Sequence, residues 1–254
     1  MSPTDELIPI LKKLRLSGVL ESLDLRIQQA VEDELGHSEF LLRLLQDEVD
    51  RRDANQLSRR LKRAAFEHER TLETFDFAFN AKLPKAKVLE LANTAFIERA
   101  DNVLLIGPTG VGKSHLAQAL GHRACRAGYD VAHVTADDML RQLRAARADG
   151  THEKRLQRFI RPPLLILDDV GLRPLTGDEP LDLYDVIRLR YEKRSTILTS
   201  NRDVPEIGAL FGDPLLAGAA MDRLLHHAHV LTLVGDSFRN PPQGTKRRRK
   251  RKAA

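Results

Sequence analysis

Apolar positions divide the chain into two patterns. In the first 70 residues they recur at helical intervals, as Leu7, Ile10, Leu11 and Leu14 and then Leu41, Leu42, Leu45 and Val49; steps of three and four lie along one face of a helix. Strand alternation is absent here, so residues 1–70 are predicted to form a small all-helical N-terminal domain, with Ser38 capping its second apolar segment. From residue 101 short apolar runs take over, at Asn102–Ile106, Val131–Val134, Leu164–Leu167, Thr196–Thr199 and Val230–Val234. Helical stretches around 113–127, 136–148, 152–160, 179–194 and 215–226 separate them. Five strands with intervening helices predict a three-layer α/β domain over 101–239, built on a mainly parallel five-stranded sheet. Residues 71–100 form a connector carrying Phe75, Phe77 and Phe79. Such rings can stack on bases, but more commonly anchor a linker to a core. Residues 240–254, NPPQGTKRRRKRKAA, are too polar to pack and are expected to be a disordered basic tail.

Charge changes this picture only locally. The 254 residues hold 41 Lys+Arg against 36 Asp+Glu, a formal balance of +5. Seven of the basic residues stand together at 246–252; without them 34 face 36, so the folded part is close to neutral. A second basic run, RRDANQLSRRLKR at 51–63, holds six cations and only Asp53 as an acid. It is either a solvated helix face or a surface turned to a polyanion, and mutual repulsion favours the latter. Its residues Arg59, Arg60, Lys62 and Arg63 are the candidate DNA contacts. No apolar run approaches the roughly 18 residues of a membrane span, so no membrane partner is expected. The single cysteine, Cys125, cannot form an internal disulfide, and the N-terminus lacks a secretory pattern, which points to the cytoplasm.

The strongest chemical signal is Gly107, Pro108, Thr109, Gly110, Val111, Gly112, Lys113 and Ser114, with His115 next. This is a complete G-x-x-x-x-G-K-[ST] loop between a predicted strand and a predicted helix, the context that gives the pattern its meaning. Its glycines allow backbone N–H groups to converge on phosphates, and the helix start adds positive dipole. Lys113 would reach the β- and γ-phosphates of ATP, and the Ser114 hydroxyl would ligate Mg²⁺. The run Leu164–Leu167 ends in Asp168 and Asp169, delivering two carboxylates to the ligand-binding edge of the sheet. Asp168 would hold Mg²⁺ and Asp169 would polarise the attacking water. Asn201, after Thr196–Thr199, is either a sensor of the γ-phosphate or a turn residue. Arg223 is either a finger supplied to a neighbouring subunit or half of an ordinary pair with Asp222. His226, His227 and His229 cluster in sequence, but adjacent helical positions face apart and no acid stands beside them, so no metal site is expected there.

The order of P-loop, DD strand, TSN strand and DRL arginine resembles AAA+ ATPases of the helicase-loader clade. The stretches LLIGPTGVGKSHLAQALGHRACRAGYDV, LLILDDVGLRPL, RYEKRSTILTSNRDVPEI, DRLLHHAHVLTLVGDSFR and RRLKRAAF resemble more narrowly the IstB family, ATP-dependent helpers of bacterial insertion-sequence transposases. That resemblance implies an AAA+ core without the usual C-terminal lid. It also implies self-assembly into a homo-oligomer on double-stranded DNA with ATP and Mg²⁺, ATP sites shared between subunits, and recruitment of an IstA-like partner transposase. In a bacterial cell the protein would be cytoplasmic, and nucleoid-associated when DNA-bound. Lys113 and Ser114 become phosphate and Mg²⁺ contacts, Asp168 and Asp169 the Walker B acids, Asn201 sensor 1 and Arg223 the finger. Arg239, in GDSFR, becomes a further nucleotide contact. The alternative is a DnaC-like replicative helicase loader, which shares the core.

Overall fold

The computed structural model describes residues 3–66, 70–77, 83–235 and 237. The chain divides into two compact units, with the boundary between Arg59 and Arg60. The first unit holds α1 (Pro3–Lys13), α2 (Ser17–Glu32) and most of α3 (His37–Ala64). Its small core is Leu11, Val19, Leu23 and Leu44, flanked by Leu16, Leu20, Ile27 and Phe40. Polar contacts supplement this core. The buried Glu48 carboxylate accepts from the Gly18 amide at 2.6 Å and from the Arg52 guanidinium at 2.6 Å, satisfying the start of α2 where Leu16 offers no side-chain cap. Arg26 grips Asp47 with two bonds of 2.8 and 2.7 Å.

One expectation for this unit is corrected. Ser38 lies inside the first turn of α3, not at its cap, because the helix already starts at His37. Of the predicted apolar faces only Leu11 is buried. Leu7, Ile10, Leu14, Leu41, Leu42, Leu45 and Val49 are all exposed, Leu42 by 66%. Helical spacing identifies a face but not what covers it.

The second unit opens with two short helices that the connector reading did not anticipate, α4 (Lys85–Ala92) and α5 (Ala95–Glu98). They bury Val88, Leu91, Phe96 and Ile97. The sheet follows: β1 (Val103–Ile106), β2 (Val131–Thr135), β3 (Leu164–Val170), β4 (Ser195–Ser200) and β5 (His229–Thr232), in the order β2-β3-β4-β1-β5 with every pairing parallel. The three inner strands are buried along almost their whole length, whereas the edges β2 and β5 are only partly covered. Burial on both faces is why the inner strands are continuous apolar runs. Helices α6 (Lys113–Arg126), α7 (Ala136–Ala148), α8 (His152–Ile160), α9 (Glu179–Arg190), α10 (Val204–Ala209) and α11 (Pro214–Leu225) complete the layers. Leu165 and Leu167 join a core with Met139, Leu143, Phe159, Val186 and Leu224, while Ile166, alternating to the other face, lies against Gly121 of α6. Among the described residues no helix is long and apolar enough to cross a membrane.

Arg190, at the end of α9, is almost fully buried. Its guanidinium donates to the carbonyls of Phe159, Ile160 and Pro162 at 2.9–3.0 Å, to Ser195 O, and to Thr196 Oγ1 at 3.0 Å. One cation thereby ties the end of α8 and the entry to β3 to the start of β4, at the end of the sheet opposite the candidate site.

Candidate functional site

Residues 107–112 link β1 to α6 at the C-terminal edge of the sheet. Gly107 (φ 147°) has no space for a side chain, since a Cβ would collide with the Leu233 carbonyl. Gly112 caps α6 in the left-handed region at φ 98°, a conformation glycine adopts freely. Lys113 is buried, and its ammonium donates to the carbonyls of Gly107 at 2.7 Å and Pro108 at 2.8 Å. The lysine is thus held over the mouth of the loop, beside the N-terminus of a 14-residue helix whose dipole favours anions.

Ser114 Oγ donates to Asp168 Oδ1 at 2.9 Å. The same oxygen accepts from Thr199 Oγ1, and Asp168 Oδ2 faces His133 Nε2 at 3.7 Å. Burial opposes ionisation of Asp168, but His133 and the Thr199 and Ser114 hydroxyls outweigh it and hold the carboxyl below its usual range. An anionic carboxylate paired with a hydroxyl is a hard oxygen donor set suited to Mg²⁺.

Asp169 is displaced from its neighbour by an irregularity in the strand. Leu167 pairs with Leu198 and Val170 with Ser200, so β3 takes three steps where β4 takes two. Asp169 adopts φ 57°, uncommon for a residue with a side chain, and its N–H donates to Thr199 Oγ1 at 2.9 Å. It lines the cleft in front of the P-loop. The two acids of the pair therefore differ: one is buried against Ser114, the other opens into the cleft.

That cleft encloses about 400 Å³ and is walled on its other side by Arg70, Thr74, Phe75 and Asp76. Phe75 packs edge-on to His115 at 5.2 Å and to Phe77 at 4.9 Å, and lies against Gly112. His115 Nε2 is 3.2 Å from both Thr74 Oγ1 and the Thr71 carbonyl. Burial lowers the His115 pKa, which the Thr71 contact only partly offsets. The aromatic cluster thus anchors the connector on the P-loop, as expected for Phe75; Phe79 lies outside the described residues.

Asn201 is exposed, immediately after β4. Since β4 lies between β1 and β3, Asn201 stands at the edge between the P-loop and the acid pair, without lining the cleft. Arg223 is apart from this group. Its guanidinium donates to the Ala219 carbonyl at 2.7 Å and lies 5.7 and 5.9 Å from the Tyr184 and Tyr191 rings; the pair with Asp222 does not form. Arg239 lies outside the described residues. In the basic run Arg51 pairs with Glu21, Arg52 with Glu48 and Arg63 with Asp130, so at least three of its six charges are compensated, while Arg59 and Lys62 are exposed. Thr199 and His133, the supports of Asp168, gave no sequence signal, because only the β2-β3-β4 order brings them together.

Sheet order, P-loop and acid pair define a P-loop α/β protein with an AAA+-type core. The family profile of the IstB-like ATP binding protein matches residues 9–248, and the chain belongs to that family. It is 40% identical to an ATP-binding protein of insertion sequence IS21 from Pseudomonas aeruginosa, over 92% of this chain and 88% of that one. It is 41% identical to an insertion-sequence ATP-binding protein of Mycobacterium tuberculosis, over 90% and 92%. In fold it is similar to the DnaC helicase loader, with a TM-score of 0.55 at 22% identity over 65% of this chain and 97% of that one. A DnaA initiator bound to AMPPCP and single-stranded DNA gives 0.56 at 22% identity, over 68% and 52%.

Proposed function

We propose that this protein binds and hydrolyses ATP with Mg²⁺, oligomerises on double-stranded DNA and assists a partner transposase in insertion-sequence transposition. The 2.9 Å bond between Ser114 and Asp168, beside the buried Lys113, carries the reading. A cation-holding pair and a phosphate-holding ammonium share one sheet edge. Lys113 would leave the Gly107 and Pro108 carbonyls for the β- and γ-phosphate oxygens, with the N–H groups of the glycine loop around them. Ser114 and Asp168 would hold Mg²⁺, which when bound neutralises charge between those phosphates. Asp169, open to the cleft, orients and polarises the attacking water, and Asn201 meets that water or the γ-phosphate.

Arg223 does not line its own cleft, which supports its supply to the site of a neighbouring subunit. Arg59, Arg60, Lys62 and Arg63 contact duplex DNA by neutralising phosphates. In this reading residues 1–70 bind DNA or the partner, 71–100 connect, 101–239 hydrolyse ATP and 240–254 add a basic tail, in the cytoplasm of a bacterium and on its nucleoid. A helicase-loader role would draw on a likeness at 22% identity, which speaks to fold alone. The relatives at 40–41% identity favour the transposition helper.

The shared site is tested by mixing two inactive variants. Lys113→Ala lacks the phosphate contact and Arg223→Ala lacks the finger, whose loss costs about 10³ in turnover. Mixed on duplex DNA, they create interfaces that hold a wild-type P-loop and a wild-type arginine, so a fraction of ATPase activity returns and varies with mixing ratio. A silent mixture of co-assembled variants would contradict a finger acting between subunits.

A further inference from the structure

The turns that end α9 and α11 bring together three side chains that the nucleotide chemistry does not use. Glu192, His226 and His227 each present one ligand atom within 4.8 Å of the others. The expectation that the two histidines face apart fails for a local reason. Helix α11 stops at Leu225; His226 is extended (φ −60°, ψ 122°) and His227 is left-handed at φ 56°. That reversal brings the two rings to 3.9 Å between centroids. The missing acid comes from 34 residues earlier in the chain: Glu192, itself left-handed at φ 54°, sets its carboxylate 3.6 Å from His226 Nδ1. Positive φ outside glycine is uncommon, and here it occurs at two of the three converging residues.

We infer that Glu192, His226 and His227 form a binding site for a zinc-class divalent transition-metal ion. Two imidazoles and a carboxylate are the donor set such ions take with three protein ligands and an open fourth position, and imidazole discriminates against Mg²⁺. The residues follow directly on the C-terminal ends of two helices, where unpaired carbonyls favour cations. The Tyr191 hydroxyl lies 3.0 Å from the same His226 Nδ1 and would yield that nitrogen to the ion. All three ligands are exposed, so an ion has direct access. Closing the site would fasten the end of α9 to the end of α11.

Titration of the full chain with Co²⁺ and then Zn²⁺, in excess Mg²⁺, tests the site. One equivalent should bind, with the visible absorption that nitrogen–oxygen coordination gives cobalt, and zinc should displace it. His226→Ala and His227→Ala should each weaken binding by at least about tenfold, and Glu192→Gln should weaken it too. Zinc should also raise the melting temperature of the wild type but not of the double histidine variant. Absence of binding, or binding and stabilisation that all three substitutions leave unchanged, would overturn the proposal.

Discussion

The two units of this chain stabilise themselves in different ways. In the α/β unit, three inner strands are buried on both faces, and even the charged groups, Arg190, Lys113 and Asp168, are enclosed and hydrogen-bonded. The helical unit encloses a handful of aliphatic side chains and the one carboxylate of Glu48, and leans at its margin on the ion pair of Arg26 with Asp47, while much of its apolar surface faces outward. A buried polar network has little tolerance for loss of one member, because the remaining groups stay desolvated. A peripheral ion pair is replaced by water at small cost.

Arg190→Leu removes the most enclosed cation of the α/β unit. The carbonyls of Phe159, Ile160, Pro162 and Ser195 lose their donor, and each buried unsatisfied group costs about 1–3 kcal/mol. Denaturant unfolding of the full chain should show a loss of at least about 3 kcal/mol in the α/β transition; a loss within ~0.5 kcal/mol would mean that the network is not structural. Thr199→Val has a smaller, more local effect. It removes a donor to Asp168 and the acceptor of the Asp169 amide, so Mg²⁺-dependent ATP affinity should fall about tenfold, the equivalent of ~1.4 kcal/mol. Unchanged affinity would show that Thr199 does not position the acids.

In the helical unit the expected effect is smaller again and depends on pH. The Arg26 guanidinium holds the Asp47 carboxyl at about 2, below the ordinary ~3.9. A depressed folded-state pKa contributes stability above the ordinary value and loses it as pH falls through the folded one. Asp47→Asn should therefore speed hydrogen exchange of α2 and α3 amides at pH 7, by about 1 kcal/mol. The difference from wild type should shrink between pH 4 and 2. A difference independent of pH would assign the effect to shape, not charge.

Legibility of the sequence follows the same division. Strands β1, β3 and β4 stand out because burial on two faces demands unbroken apolar runs, and the P-loop because its glycines and lysine have few substitutes. The second acid was legible as a residue, but its turn into the cleft depends on a three-against-two step between strands, which no local pattern encodes. Thr199 looks like any strand threonine until β4 lies beside β3. Phe75 was legible as an anchor, but not as the wall opposite the P-loop. In the helical unit, spacing marked Leu7, Ile10 and Leu42 as a face, yet the core formed around Leu11, Val19 and Leu44, because periodicity is silent on which neighbour comes to cover a face.

If one sheet edge binds ATP through Lys113 and hydrolyses it through Asp169, the two functions separate. The direct measurement is ATP binding and single-turnover hydrolysis, on duplex DNA, for the wild type, Lys113→Ala and Asp169→Asn. Lys113→Ala should lose about tenfold or more in ATP affinity. Asp169→Asn should bind ATP as the wild type does, yet hydrolyse it about 10²–10⁴ times more slowly, the usual contribution of a positioned base. Wild-type hydrolysis by Asp169→Asn, or wild-type affinity in Lys113→Ala, would contradict the account.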